Sequence, residues 1–249
     1  MSNVAAPNTN ASPAEGVIVG AEPTPTFGQD VLVEEHFFAE FREAIAEQQA
    51  PEETDGRRLR RSLNRQAVVD ALLDLYDEGN LRPSTDEIAE RAGISPRSLF
   101  RYFEDTEDLA RDAMARQQMR VIPLLGITVA ADASLKDRIQ AIVDQRMGLF
   151  SKTMGAATVH RLHVPFNEEM AHHLVTSRAI LRSQVRSLFT PELTALSDER
   201  AEAALATADV LLSFESYCHL TSQPDIDNDE ARTLLCNSLS VQFSPGGTS

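Results

Sequence analysis

The chain contains no tryptophan, only two cysteines and only two lysines in 249 residues. Cys218 and Cys236 cannot build a disulfide scaffold or a cysteine-rich zinc module, and such sparing use fits a reducing cytoplasm. With Lys136 and Lys152 the only lysines, contacts to phosphate or carboxylate fall to arginine, which grips them bidentately. Long apolar runs are also missing. The longest, residues 121–131, is broken by Pro123 and falls far short of a membrane span, so no membrane partner is expected. The first thirty residues have neither a basic start nor a continuous apolar stretch and do not read as a signal peptide. There is no phosphate-cradling glycine loop, no nucleophile elbow and no outstanding carboxylate pair, which argues against an enzyme and gives no reason to expect a cofactor. No segment alternates at period two, which removes the usual signal for strands.

What is present is an ordinary globular mix, 42% hydrophobic and 24% charged. A chain of this length can bury a core without a metal or disulfide staple, in one or two domains. The net charge of −15 opposes nucleic-acid binding until its distribution is followed. Residues 1–56 carry one arginine and eleven acids, residues 57–120 twelve of each, and residues 121–249 ten basic and fifteen acidic groups. The middle segment opens with Arg57, Arg58, Arg60, Arg61 and Arg65 and no acid among them. Three regions follow: an acidic extension over 1–56, a small domain over 57–120 and a larger one over 121–249. The first thirty residues read as disordered, whereas Val33, Phe37, Phe41 and Ile45 give an amphipathic helix over 31–50.

From Leu59 onward the patterns are helical. Leu63, Ala67, Ala71 and Leu75 form one row, ended by Gly79-Asn80. A further helix is expected from Thr106 to Val121, stopped by Pro123 and Gly126. Beyond it, stripes run from Leu135 to Phe150, from Phe166 to Leu188, from Ala201 to Leu220 and through Ala231, Leu234, Leu235 and Ser238, with a separate short piece at 156–163. The expected fold class is all-α.

Residues 84–103, STDEIAERAGISPRSLFRYF, hold the most specific pattern. Ser84 and Glu87 form a capping box, and Gly93 ends the helix after about two turns. Ser95 is a natural N-cap, with Pro96 at the first helical position. Ile88, Ala89, Leu99 and Phe103 point inward, which leaves Arg97, Ser98, Arg101 and Tyr102 facing out. Two short helices joined by a tight glycine turn make a helix-turn-helix, whose second helix enters the DNA major groove.

Residues 63–109 resemble the N-terminal domain of the TetR family of bacterial transcriptional regulators. The resemblance rests on an amphipathic first helix, Gly79, Ser84-Thr85, Ile88-Ala89, Ala92-Gly93-Ile94-Ser95, Leu99-Phe100, Tyr102-Phe103 and Leu109. It implies an all-helical homodimer that binds a palindromic operator and releases it when a small ligand occupies the C-terminal domain, most simply a repressor. It assigns Ser84, Thr85, Ser95 and Tyr102 to phosphates and Arg97, Ser98 and Arg101 to bases, with Pro96 at the tip. The family commonly has tyrosine where Phe100 stands and lysine where Thr106 stands, so two phosphate-facing groups are missing. The cluster of Arg57, Arg58, Arg60 and Arg61 offers a replacement for that electrostatic attraction. An alternative keeps the fold but makes the chain a protein-interaction module with weakened DNA binding, working through residues 31–50.

In the C-terminal region, helix bundles build ligand sites from facing side chains. Met147, Phe150, Met154, Phe166, Met170, Phe214 and Tyr217 are the candidates for an apolar effector site. His160, His163 and His173 would orient the ligand. The spacing of His160 and His163 also suits a metal, but no cysteine lies near, and none is assigned. The dimer seam is expected in the last two long helices, about 197–220 and 229–242, through Leu205, Leu212, Leu234 and Leu235.

Overall fold

A computed structural model describes residues 56–244, apart from the side chain of Arg57. The expected helix over 31–50 and the rest of the acidic extension lie outside the described residues. Every regular element among those described is a helix: α1 (Gly56–Asp77), α2 (Thr85–Arg91), α3 (Pro96–Tyr102), α4 (Thr106–Val121), α5 (Leu135–His163), α6 (Glu168–Leu188), α7 (Thr190–Thr194), α8 (Asp198–Leu211), α9 (Phe214–Thr221) and α10 (Asn228–Phe243). Short 3-10 turns follow α4 and α5. No described helix is long and apolar enough to cross a membrane.

The helix starts are written locally. Ser84 with Glu87, Ser134 with Asp137 and Asp227 with Glu230 close reciprocal capping boxes at α2, α5 and α10. Asp105 and Asn167 cap α4 and α6 through their side chains. Gly79 and Gly93 take positive φ, 89° and 67°, where the chain leaves α1 and α2, a backbone state that costs other residues free energy.

Helices α1 to α4 enclose one apolar cluster, with Val68, Leu72, Leu73, Ile88, Ala89, Leu99 and Phe103 inside. Ala156 of α5 joins it, so the long helix is part of this unit's wall. A second cluster gathers Ile139, Ile142 and Val143 of α5 with Val185, Leu205, Ala208, Leu212, Leu235, Leu239 and Phe243. Phe189 and Phe243 stack at 4.1 Å inside it.

Two expectations about helices change. The piece at 156–163 is the end of α5, which runs unbroken because Gly155 lies buried against the end of α1 instead of facing solvent. The run expected over 201–220 is broken at Leu212, and Ser213 starts α9 by accepting the N–H of Ser216. At Gly155 the two halves meet with no space: a Cβ there would sit 1.9 Å from the Tyr76 carbonyl oxygen.

Arginine ion pairs bind α4 to α1. Asp70 takes Arg116 at 2.9 Å and Arg120 at 2.8 Å, and Arg120 also reaches Asp74. Burial would raise the Asp70 carboxyl, but the two guanidinium groups outweigh it and hold the group below the usual range. Arg65 bridges α1 to Asp108 and Asp112 of α4, donates to the Tyr102 carbonyl at 2.8 Å and lies 4.4 Å over the Phe103 ring. It opens the sequence as one of a basic row but serves as a brace inside the domain.

Candidate functional site

The turn between α2 and α3 is built from short-range bonds. The Ser84 hydroxyl donates to Glu87 at 2.7 Å and accepts the Glu87 N–H, so it is committed to its own capping box. Ser95 accepts the N–H of Ser98, and the two hydroxyls lie 2.9 Å apart. Pro96 is exposed at the first position of α3, and Thr85 is half-buried at the start of α2. Leu99 anchors α3 beneath, at 3% exposure. Arg97 and Arg101 stand on the outer face.

Tyr102 corrects one expectation. It does not face out: its ring is 7% exposed because α3 ends against α1. Only the hydroxyl comes to the rim, where it accepts from Asn64 at 2.7 Å and from Arg101 at 3.4 Å. Those bonds, Arg101 first, pull the phenol below its ordinary pKa. Phe100 next to it is 65% exposed.

The arginines of this unit differ in their partners, and Arg111, itself exposed, lies 3.6 Å from Asp108. Arg65, Arg91, Arg116 and Arg120 are held by carboxylates, Arg91 by both oxygens of Glu78 at 2.8 and 2.6 Å. Arg58, Arg60, Arg61 and Arg97 make no ion pair among the described residues, and all four are exposed. The unit is neutral overall, and six of its twelve acids, Asp70, Asp74, Asp77, Glu78, Asp108 and Asp112, pair with its arginines. A positive face remains along the start of α1 and the outside of α3.

A helix-turn-helix with a solvent-facing, arginine-bearing second helix defines a DNA-binding transcriptional regulator. Comparison with known proteins agrees. Residues 69–113 match the family of bacterial regulatory proteins described as the tetR family. The chain is 30% identical over 155 residues to the HTH-type transcriptional regulator BetI of Escherichia coli O17:K52:H18, spanning 58% of this chain and 77% of that protein. It is 29% identical over 183 residues to BetI of Escherichia coli K12, spanning 70% and 90%. With BetI of Klebsiella pneumoniae strain 342 it shares 29% over 133 residues, spanning 49% and 67%. The chain belongs to the tetR family of bacterial regulatory proteins.

A second feature lies behind the DNA-binding unit. A cavity of about 240 Å³ opens between α1 and α4 on one side and α5 and α6 on the other. Leu73 and Tyr76 of α1 and Met114 of α4 form the near wall. Of the expected ligand residues, Phe150, His160, His163, Met170, His173 and Phe214 line it. Met147, Met154 and Tyr217 do not: they pack behind it around Leu125 and Leu149. Phe166 is 87% exposed on the turn after α5 and faces away. The imidazoles of His160 and His173 meet edge to face at 5.1 Å. Burial, then the neighbouring His160 and His172, pulls His173 down to about 4, and burial also lowers His160. Both rings are therefore neutral at pH 7.

Gln117 of α4 also lines the cavity and was missed by the sequence, because a glutamine between charged residues reads as solvated. A hydrogen-bond hub equally invisible in the sequence lies beside the cavity. Arg146, 2% exposed, donates to Gln145, to Gln184 at 2.9 Å and to the Leu181 carbonyl at 2.8 Å. Gln145 and Gln184 then donate to the carbonyls of Leu124 and Leu125, just past α4. The exit of α4 is thereby fastened to α5 and α6.

The expected dimer residues need the largest correction. Leu205, Leu212 and Leu235 are 1%, 4% and 4% exposed within a single protomer, where they fill the core around Ile139 and Ile142. A stripe of leucines near a chain end needs cover, and this chain covers three of its four itself. Only Leu234 faces out, at 46%, with Val241 one heptad further along α10 at 63% and Val210 of α8 at 65%.

Proposed function

We propose that the protein is a homodimeric repressor that acts in the cytoplasm, binds an inverted-repeat operator through α3 of each protomer and leaves it when an apolar effector fills the cavity. The observation that carries the reading is that Arg58, Arg60, Arg61 and Arg97 are exposed with no ion pair among the described residues, whereas Arg65, Arg116 and Arg120 are held by carboxylates between α1 and α4. Arg97 and Arg101 would read base edges, where arginine pairs best with guanine. The Tyr102 hydroxyl, already accepting twice, has its own proton left for a phosphate. Arg57, Arg58, Arg60 and Arg61 would add backbone attraction without sequence information.

The dimer is read through Val210, Leu234 and Val241, the apolar side chains that α8 and α10 leave exposed. A two-fold axis through them presents two copies of α3, so half-sites should be centred one DNA turn or a multiple of it apart. The effector would act by linkage. A ligand must favour the DNA-incompetent state about ten-thousandfold to throw the switch almost fully.

The test is binding of the full chain to its upstream DNA, followed by fluorescence anisotropy against salt. Replacing Arg97 or Arg101 with Ala should cost ~1–3 kcal/mol and relax base preference. Replacing Arg57, Arg58, Arg60 and Arg61 with Gln should weaken all DNA alike and flatten the salt slope by about one unit per lost contact. Unchanged affinity and preference in both single Ala variants would refute the assignment.

A further inference from the structure

Four buried side-chain atoms among the described residues lack a hydrogen-bond partner: Gln117 Oε1, His160 Nε2, His173 Nδ1 and Arg146 Nε. Three of the four line the one cavity, and they come from α4, α5 and α6 respectively. A buried polar atom left unpaired is costly and rare in a folded core, so the gathering of three on one cavity wall is not expected from packing alone. The remaining lining is mostly aliphatic and aromatic. It includes no carboxylate. Its two arginines, Arg161 and Arg178, are both tied to Glu215, and Arg161 also lies 4.0 Å over the Phe214 ring.

These features select a ligand chemistry. Gln117 Oε1 can only accept, so the ligand must donate. The imidazole that is bonded to the Met170 backbone offers its other nitrogen as a second acceptor. A cation would meet no carboxylate on the lining and two guanidinium groups that share Glu215, which leaves only the aromatic faces and neutral acceptors against its desolvation and the guanidinium repulsion. As for size, an engineered cavity of ~150 Å³ takes benzene; this one, at about 240 Å³, takes somewhat more than a single ring. The geometry points to an uncharged, largely apolar ligand of about two fused rings whose hydroxyl donates its one proton to Gln117 Oε1 and accepts from the Nδ1–H of His173, beside His160. The donor would join α4 to the α5–α6 pair, which makes the polar head and not only the bulk of the ligand the element felt by the DNA-binding unit. This rests on the cavity being the effector site.

Three probes of one shape separate the possibilities: 2-naphthol, naphthalene and 2-naphthylmethylamine, protonated at pH 7.5, titrated into the full chain by calorimetry with operator affinity measured in parallel. 2-Naphthol should bind about tenfold tighter than naphthalene, and the ammonium probe at least tenfold weaker than naphthalene. Gln117→Met should bring 2-naphthol to within about threefold of naphthalene and leave the naphthalene Kd unchanged; if that variant does not fold, His173→Leu serves the same comparison. Equal binding of 2-naphthol and naphthalene, ammonium binding as tight as 2-naphthol, full selectivity in a folded variant, or no binding by any of the three would each overturn the proposal. The expected order with operator affinity unmoved would uphold the ligand chemistry while refuting the effector role.

Discussion

Two glycines on one helix provide a matched test of how the halves of the protein are joined. Gly148 and Gly155 both lie inside α5, seven residues apart. A methyl group added at Gly148 meets nothing within 4 Å, whereas at Gly155 it would stand 1.9 Å from the Tyr76 carbonyl oxygen and 2.3 Å from its carbon. Gly148→Ala should therefore yield the plain helix-propensity gain, up to ~1 kcal/mol. Gly155→Ala carries the same local gain, but α1 must retreat by roughly 1.5 Å to restore an ordinary contact distance. The obstructing atoms are backbone and cannot rotate away. Overpacking of this kind costs about 1–3 kcal/mol and occasionally more. Separation also weakens dispersion along the rest of the α1–α5 seam, since a gap of ~0.5–1 Å already loses a quarter to a half of each contact. A net loss of about 2 kcal/mol is expected, or roughly 4–8 °C in Tm for a chain of this size, against a rise of up to about 4 °C for Gly148→Ala. Calorimetric melting gives both numbers. Because α1 carries the unit that holds α3, operator affinity should fall in Gly155→Ala at temperatures where the variant is fully folded. If the two alanine variants melted alike and bound the operator alike, the close approach would not be the joint inferred here.

Further expectations concern the hub, the histidines and the dimer face. Gln184→Met leaves the Arg146 charge buried with a lost acceptor and should cost ~3 kcal/mol, while Arg146→Met removes that charge and should cost only ~1 kcal/mol; chemical denaturation checks the order, and the reverse order would refute the hub. His173 has a folded pKa of about 4, below its unfolded value, so the unfolded chain binds the extra proton. Its contribution is present above about pH 6.5 and is lost as pH falls toward 4, at up to about 1.4 kcal/mol per pH unit. Carboxylates lose stability in the same direction, so the check is the denaturation midpoint of wild type minus that of His173→Leu across pH 4 to 7, which should fall as pH falls, whichever protein is the more stable at pH 7. Leu234→Asp with Val241→Asp should yield folded monomers by light scattering, whereas Leu235→Ala should cost ~2–5 kcal/mol in stability at any protein concentration; a folded dimer from the double variant would place the seam elsewhere.

The parts of the molecule written in neighbouring residues were legible from sequence. Ser84 with Glu87, the positive-φ Gly93 and Ser95-Pro96 fix the helix-turn-helix within a dozen positions. The limits of α4, Thr106 and Val121, follow from Asp105 and Pro123. What depends on distant partners was not legible. Arg65 sits among arginines that the sequence assigns to DNA, and only the approach of Asp108, 43 residues away, turns it inward. Leucine stripes declare that cover is needed but not who supplies it, so Leu205, Leu212 and Leu235 were assigned to a partner when their own chain covers them. Around the cavity, the histidine cluster was visible because four fall within fourteen positions, whereas Gln117, and Gln145 and Gln184 of the hub beside it, carry no local mark of burial. Phe166 follows a proline on an exposed turn, where hydrophobicity alone suggested an inward face.

Several faces of α4 are already employed. Asp108 and Asp112 hold the Arg65 brace, Arg116 and Arg120 hold Asp70, and Met114 and Gln117 line the cavity. The 3-10 turn beyond it is fastened through Leu124 and Leu125. A substitution on this helix that reshaped the cavity would also disturb its ion pairs to α1. If the cavity is the effector site as proposed, change in effector choice is channelled onto α5 and α6, whose cavity-facing side chains can change while α1 to α4 keep their packing. Anyone retooling this regulator as a sensor would diversify Phe150, Met170 and His173 and leave the connecting helix as it is.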